Sequence, residues 1–589
     1  MLQHFVENNL RKYGINHPAI KIRDERNDGW DTKHIGDMFD DVKTVAGALA
    51  AFGVGFQDRV GICSNNMYES LIVDFANYRL GAITVPMFAT LSVSELAFII
   101  RDAEIQVVCA GEQLQFDRLK AILDSGDTTL RHIIVFDHSV HFEPDQRIIR
   151  FSELSGISAD FPEVNVTEND IATIMYTSGT TGEPKGVLLL HRCFTAILES
   201  YSERFDMIGT SDNLLSFLPM THIFAKINVY YILLKGGTVY LNQHPADIQN
   251  VLKQVRPTIM ASVPRFWEKI HDIIEQKRST MPLRKRMFTA WSMRVGRRRN
   301  IDYVRYGKPV PFMLRLEYAL ADRIYFANVR RLIGLDNGKY FPAAGAAMSP
   351  HHIEYFRSMG IPILHAYGLT ETTAAVSCYG DRNFVIGSVG TLMSGVQVSI
   401  DPENDEILVR GDSVCAGYYR RPDLTQKAFT DGWFHTGDAG RFEGITLYVT
   451  DRIKDLIKTS NGKYVSPQQV ETLLQSDEFI SQAIVIGDGR NFITALIVPE
   501  KDAVERYAWN HGIAYYNFDN LLANPQIYSL FMQRINTCQT DLAQFEQVKK
   551  IRFVTDDLSK DPVLTTSTLK IRRREVCKKY STLIDEMYS

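Results

Sequence analysis

What this 589-residue chain lacks narrows its function first. Its seven cysteines, Cys63, Cys109, Cys193, Cys378, Cys415, Cys538 and Cys577, are scattered and never spaced as Cys-x-x-Cys. That excludes a disulfide framework and a zinc ribbon, and it fits a reducing compartment. His351 and His352 are adjacent rather than four apart, so no helical histidine pair for a transition metal arises there. The first nine residues carry acidic and amide side chains where a secretory leader has a basic and then an apolar stretch. No apolar run reaches 18 residues, so the expectation is a cytoplasmic protein without a transmembrane segment. Internal repeats and low-complexity tracts are absent. An excess of positive charge is absent too: 65 Lys and Arg against 69 Asp and Glu leave −4, giving no general pull toward nucleic acid. Any basic surface must be local.

One such surface is visible. From Gln276 to Asn300, Lys277, Arg278, Arg284, Lys285, Arg286, Arg294, Arg297, Arg298 and Arg299 interleave with Met287, Phe288, Trp291 and Met293. The pattern predicts a basic amphipathic helix or pair. It is either a solvated face, a docking site for acidic phosphates, or a peripheral membrane contact. In the last case, replacing Arg297 to Arg299 by Gln weakens binding to anionic vesicles.

With 45% hydrophobic residues the chain has ample core material, enough for three or four domain-sized units. From Gly47 to about Ala110, helical stretches alternate with short apolar runs such as Arg59 to Cys63 and Gly81 to Pro86. The alternation recurs near Leu214 to Leu218 and Gly236 to Leu241. It predicts an α/β fold, a large layered N-terminal body with mostly parallel sheets. The pattern breaks at Asp451 to Lys454, which predicts domains 1–451 and 452–589, the second a small, mobile α+β domain.

The densest chemistry lies in Tyr176-Thr-Ser-Gly-Thr-Thr-Gly-Glu-Pro-Lys-Gly-Val187. Thr177, Ser178, Thr180 and Thr181 offer hydroxyls, and Lys185 adds a positive charge. Gly179, Gly182 and Gly186 would let backbone N–H groups approach an oxyanion. Apolar runs on both sides, Ile171 to Tyr176 and Val187 to Leu190, make this a loop between strands, with a plain hairpin turn as the alternative. Only two residues separate Gly179 from Gly182, so it is not the nucleotide-triphosphatase P-loop.

Further on, Tyr367-Gly-Leu-Thr-Glu-Thr372 follows the apolar run Ile361 to His365, at the end of a predicted strand where open α/β sheets bind ligands. Tyr367 can stack on a purine, Thr370 can hydrogen-bond an α-phosphate, and Glu371 can hold a hard cation. Ala343-Ala-Gly-Ala-Ala347 offers a surface almost without side chains for a flat base, or else a tight helix start. Asp438, in Thr436-Gly-Asp438, is placed to accept ribose hydroxyls, with an Asx-turn as the alternative.

In order and spacing, these segments resemble the acyl-adenylate-forming (AMP-binding) superfamily from about Gly47 onward. Leu218-Pro-Met-Thr-His-Ile-Phe224, Ser262-Val-Pro-Arg-Phe-Trp-Glu-Lys269, Asp451 to Pro467 and Leu569-Lys-Ile-Arg-Arg573 resemble its long-chain fatty acyl-CoA synthetase branch. The resemblance implies a two-step ligase. A fatty carboxylate attacks the α-phosphate of ATP bound with Mg²⁺, releasing pyrophosphate, and CoA then takes the acyl group from the adenylate. It assigns the catalytic charges to Lys185, Glu371, His222 and Lys570, with Thr177 and Glu371 at the Mg²⁺. ATP would meet Thr177 to Gly182, Lys185, Gly345, Ala346, Tyr367, Gly368 and Thr370, while Asp438 and Arg452 hold the ribose. Lys454 matches the hinge on which the C-terminal domain turns, and Gly462 lines the CoA route. Lys226 falls where a fatty-acid gate would lie. The turn before Lys570, Asp561-Pro-Val-Leu-Thr-Thr-Ser-Thr-Leu569, lacks the proline usual in the branch and is less preorganised. The alternatives are an acyl carrier protein as acceptor, release of the acyl-adenylate, or a non-catalytic nucleotide-binding regulator.

Overall fold

A computed structural model describes residues 2–24, 29–157, 159–161, 163–178, 184–380, 382–460, 463–540, 542–558, 561, 563–564 and 571–588. Strand and helix alternate through the first part of the chain. The strands Arg59–Cys63, Ile83–Met87, Val107–Ala110 and His132–Val135 are short aliphatic runs, almost wholly buried. Apolar on both faces, such runs pair best in a parallel sheet covered by helices. They form the middle of a seven-stranded sheet that ends with Ile171–Ser178 and Pro184–Leu190. Its pairings are parallel except the last.

The helices between these strands carry clear boundary signals. Tyr68–Leu80 stops at Gly81, whose φ of 68° is the left-handed conformation that closes a helix. Val93–Asp102 starts at Ser92, whose hydroxyl accepts from the Glu95 N–H while the Glu95 side chain reaches back to the Ser92 N–H.

A four-stranded sheet follows the same plan: Asn213–Ser216, Thr238–Leu241 and Pro18–Asp24 run parallel, with Gly29–His34 antiparallel at the edge. In the third sheet only Phe341–Ala343 and Ile363–Leu369 pair in parallel. From Ile363–Leu369 it continues antiparallel through Ala374–Cys378, Gly390–Leu392, Thr446–Arg452, Trp433–Glu443, Glu406–Arg410 and Gln397–Ile400. The parallel pairing expected from strand-helix alternation therefore holds in the first two sheets. In the third, short turns join three of the antiparallel pairs directly, Ile363–Leu369 to Ala374–Cys378, Gln397–Ile400 to Glu406–Arg410 and Trp433–Glu443 to Thr446–Arg452, and such turns between sequential strands produce antiparallel pairs.

Pro282 divides the basic stretch into two helices, Pro264–Ser279 and Leu283–Arg297. Near the end of the chain, Ile480–Ile486, Thr494–Pro499 and Lys550–Phe553 form a small sheet packed with helices that include Pro467–Leu474 and Pro525–Cys538. The apolar clusters of the body draw on residues up to Leu447, and those of the C-terminal part on residues from Ile457. Among the described residues, no helix is long and apolar enough to cross a membrane.

Candidate functional site

The hydroxyl- and glycine-rich segment belongs to an antiparallel hairpin. Its ladder reaches farther than the apolar runs suggest: Tyr176 faces Gly186, Thr177 faces Lys185 and Ser178 faces Pro184. Gly179, Thr180, Thr181 and Gly182 lie outside the described residues, as does the side chain of Ser178. Gly186 also has a packing reason to be small. A Cβ there would stand 2.7 Å from Ile174 and 3.3 Å from Tyr419, so the glycine lets strands and a neighbouring segment close up.

That neighbouring segment was not singled out from the sequence. Ala416 to Tyr419 lies along the second hairpin strand: the Ala416 N–H donates to the Leu188 carbonyl, and the Tyr419 N–H to that of Gly186. Gly417, at φ 128°, makes the approach possible, because a Cβ would meet the Thr425 side chain at 2.5 Å. Tyr418 is thereby set against Lys185. The Lys185 ammonium donates to the Tyr418 hydroxyl (2.7 Å), which donates to Glu371 (2.9 Å), and Lys185 stands 3.2 Å from the same carboxylate. It also lies 3.9 Å from the centre of the Tyr418 ring. Burial, followed by the negative charge of Glu371, pushes the Tyr418 phenol above its ordinary range. No spacing signal links residues 233 apart, so only the fold reveals Tyr418.

Glu371 is carried by the single turn Thr370–Thr372 at the end of strand Ile363–Leu369. The next two residues, Thr373 at φ 51° and Ala374 at φ 82°, hold conformations that side chains disfavour. Threonine hydroxyls hold them there: Thr372 bonds Leu369 from both directions, and Thr373 donates to the Ser413 carbonyl (2.6 Å). Gly368 is obligatory because a Cβ would stand 1.6 Å from the Ala374 carbonyl oxygen.

On the same strand, the Tyr367 hydroxyl donates to Asp438 (2.8 Å). Arg452, opposite Asp438 in the register, places its guanidinium 2.9 Å from the other carboxylate oxygen. Asp438 lies inside strand Trp433–Glu443, so the Asx-turn alternative does not apply. Burial works against the Arg452 charge, but Asp438, Tyr367 and Glu371 together hold its pKa above the ordinary value. Tyr367 lies on the strand that ends in the turn carrying Glu371, so the Lys185–Tyr418–Glu371 group and the Tyr367–Asp438–Arg452 group are neighbours at one end of that strand.

The loop after strand Phe341–Ala343 keeps Gly345, Ala346 and Ala347 exposed. Gly345 has φ 90° with open space around it, and the following helix begins only at Pro350, which disposes of a helix start within the loop. His365 supports the loop from beneath. Its Nδ1 lies 2.9 Å from the Ser388 carbonyl, its Nε2 lies 3.5 Å from that of Ala346, and burial lowers its pKa.

The other expected residues stand on separate elements or lie outside the described residues. His222 stands at the N-cap of helix Ile223–Leu234, with its ring edge-on to Phe88 at 4.8 Å. Lys454 is exposed on the turn Ile453–Asp455. Just before it, Asp451 is buried and accepts from the Ser466 hydroxyl (2.7 Å) and the Gln468 N–H (2.9 Å). Asp451 therefore fastens the start of helix Pro467–Leu474 to the last strand of the body, a role beyond its place in the motif. Gly462 and Lys570 lie outside the described residues. Lys226 is the clear correction: instead of lining a gate it is 1% exposed, ion-paired to the buried Asp74 at 2.7 Å.

Thr177 Oγ1 is buried without a hydrogen-bond partner among the described residues, on the strand residue facing Lys185. A buried hydroxyl without a partner among the described residues and one carboxylate fit a site where Mg²⁺ is carried in largely by substrate phosphates and water, with the lysine free to meet the phosphates rather than the metal. A cage of three or more His, Cys, Asp or Glu is absent among the described residues.

Residues 6–419 match the family model described as AMP-binding enzyme, and residues 454–589 the model described as AMP-binding enzyme C-terminal domain. The chain is 30% identical over 577 residues to the protein named long-chain-fatty-acid–CoA ligase FadD15 of Mycobacterium tuberculosis, covering 95% of this chain and 93% of that one. It is 30% identical over 604 residues to long chain acyl-CoA synthetase 1 of Arabidopsis thaliana, covering 96% and 89%. Among solved structures, the ATP-bound MatB of Rhodopseudomonas palustris superposes with a TM-score of 0.71 at 22% identity, over 99% of this chain and 100% of that one. An anthranilate CoA ligase bound to anthranoyl-AMP gives 0.72 at 18% identity, over 99% and 98%. At these identities the two structures establish the shared fold.

Proposed function

The chain belongs to the AMP-binding enzyme family, and from that premise we propose that it is an AMP-forming acid–CoA ligase acting on long-chain fatty acids. The observation that carries the proposal is the Lys185–Tyr418–Glu371 triangle beside the Thr177 hydroxyl, which is buried without a partner among the described residues. In the first step a fatty carboxylate attacks the α-phosphate of ATP and pyrophosphate leaves. Negative charge then grows on the phosphate oxygens, where Lys185 and the Thr177 hydroxyl meet it. Glu371 and Thr177 would hold Mg²⁺, which supplies neutralisation of the phosphates when bound. Tyr418 aims both Lys185 and Glu371, since its hydroxyl bonds each of them.

The Asp438 carboxylate, oriented by Tyr367 and Arg452, is the acceptor for the ribose, and the open Gly345–Ala347 surface takes the adenine. Thr370 bonds the α-phosphate, and Gly368 lets its strand close up beside it. His222 stands at the acyl carboxylate. Domain 452–589 acts as a lid that turns near Lys454 between the steps. Lys570 bridges carboxylate and phosphate before the turn, and Gly462 lines the path of the CoA thiol after it. Support for two domains comes from the separate apolar cores and from the matched ranges, which end at 419 and resume at 454. Support for a long acyl chain comes from the names of the relatives at 30% identity. Action in the cytoplasm, with a peripheral membrane contact through residues 277–299, completes the reading.

The test is mass spectrometry of products after incubation with ATP, Mg²⁺ and fatty acids from short to long, with and without CoA. Acyl-CoA and AMP, formed only with CoA and most from long acids, is the expected result. Acyl-adenylate as the end product would transfer the function to another acceptor, such as acyl carrier protein. ATP binding without pyrophosphate release would identify a regulator.

A further inference from the structure

The membrane part of the foregoing reading rests on a stretch of charge, but the structure relocates and extends it. Arg297, Arg298 and Arg299, the cluster most visible in the sequence, are engaged by the protein itself. Arg297 pairs with Glu354 at 2.5 Å, Arg298 lies 4.0 Å from Glu317, and Arg299 stacks on the Tyr318 ring at 4.1 Å. The unpartnered surface lies beside them. Residues 312–333 form one helical run, Phe312–Ala321 continuing through the π-turn Asp322–Phe326 into Ala327–Ile333, about 33 Å long at 1.5 Å per residue. Leu314, Ala321, Tyr325 and Phe326 face inward and are buried.

The opposite side is apolar and exposed. Phe312 (72%), Met313 (64%), Leu316, Leu320, Ile324 and Leu332 form a stripe along it. Helix Leu283–Arg297 packs beside this run and adds Leu283 (71%) and Met287 (65%). Of the 26 large hydrophobic residues exposed among the described residues, ten fall between Leu283 and Leu332, so the exposure is concentrated here. Scattered single exposures need no explanation, whereas a contiguous patch does.

Charge identifies what covers it. Residues 277–334 hold fifteen Lys and Arg against three Asp and Glu, a net +12 in a chain whose total is −4. Arg315, Arg323 and Arg331 recur every eight residues beside the stripe, and none has a carboxylate partner among the described residues. A second copy of this face would bring +12 against +12 and be repelled. A nucleic acid would satisfy the charge and leave the aliphatic stripe in water. We propose that the stripe of residues 312–332, with Leu283 and Met287, docks this protein on an anionic lipid bilayer, the apolar side chains entering the interface and the arginines meeting lipid phosphates.

The test is flotation of the full chain with vesicles of phosphatidylcholine, and with vesicles of two parts phosphatidylcholine to one part phosphatidylglycerol, at low and high salt. Binding is expected on the anionic vesicles only, weakened by salt. The double variant Phe312→Ser, Leu316→Ser should weaken it at least about tenfold. The triple variant Arg315→Gln, Arg323→Gln, Arg331→Gln should weaken it about fivefold per charge removed. Circular-dichroism melting should match wild type for both variants, because the substituted side chains are exposed. Pyrophosphate release with a short, water-soluble acid and no lipid, measured in parallel, keeps failure of this docking distinct from failure of the proposed reaction. Absence of wild-type binding, equal binding by both variants, or equally tight binding of a DNA duplex by wild type and stripe variant would overturn the proposal. So would a solution dimer that the stripe variant converts to monomer.

Discussion

Two lysine–carboxylate pairs in the body contain the same charged groups and differ in their access to solvent. Lys226 and Asp74 meet at 2.7 Å with side chains 1% and 5% exposed, whereas Lys185 and Glu371 meet at 3.2 Å with 28% and 10% exposed. Around the first pair, the Tyr230 hydroxyl reaches Asp74 and the Tyr78 hydroxyl, and Tyr78 reaches Thr173. Burial opposes the Lys226 charge, and Asp74 and Tyr78 together more than offset it. This pair is sealed into a polar network and has no face left for a substrate. The second pair has a single tyrosine hydroxyl between its members and keeps room on the lysine side. Access to solvent therefore separates a pair that holds the fold from one that can act on a ligand.

Breaking the sealed pair tests this most severely. Lys226→Met leaves Asp74 charged, buried and unpaired, and should destabilise the body by about 3 to 5 kcal/mol in urea unfolding. The double variant Lys226→Met, Asp74→Leu should recover most of that loss, and failure to recover would mean that the network acts through more than the pair. At the open pair the effect should move from stability to rate. Glu371→Gln should lower the turnover of pyrophosphate release by about 10²- to 10³-fold while costing about 1 kcal/mol in unfolding, because the amide keeps the shape and an acceptor for the Tyr418 hydroxyl. A similar stability loss in both variants would erase the distinction.

A smaller effect is expected at the Tyr367–Asp438–Arg452 group. Asp438→Asn keeps the shape but weakens the acceptor for Tyr367 and Arg452, so about 1 to 3 kcal/mol of ATP binding should be lost, read as a raised KM for ATP. The smallest effect belongs to the strained turn. Ala374→Gly relieves a φ of 82° and should raise stability by up to about 1 kcal/mol in the same unfolding assay, offset in part by the extra freedom of glycine in the unfolded chain.

Residue types and their order made the α/β alternation, the hairpin around the hydroxyl-rich loop, and the positions of Glu371, Asp438 and Arg452 legible. The alternation, the hairpin and Glu371 are local signals, an apolar run with turn residues or a charged residue after a strand; Asp438 is legible from the glycine turn before it, and Arg452 only through the family resemblance. Gly186, Gly368 and Gly417 are individually visible, but their reasons are the close approaches of Tyr419, Ala374 and Thr425. Tyr418 has no local signal at all, because what matters about it is a lysine 233 positions earlier. The basic stretch is only part of what is exposed there. Counting charges draws attention to residues 277–299 and gives no sign of the apolar stripe on the next helical run, because exposure of that face depends on what packs beside it.

By itself, the sequence determined which backbone segments form strands and helices and which side chains are chemically capable of holding a nucleotide, since propensity and functional-group chemistry are properties of neighbouring residues. Tertiary structure alone decided which lysine is sealed against Asp74 and which meets Glu371 in an open cleft. It also decided that Tyr418 completes the second group and that one helical face is left uncovered. Burial and pairing depend on what the distant chain brings alongside, and those contacts set whether a charge stabilises the fold or remains available to act.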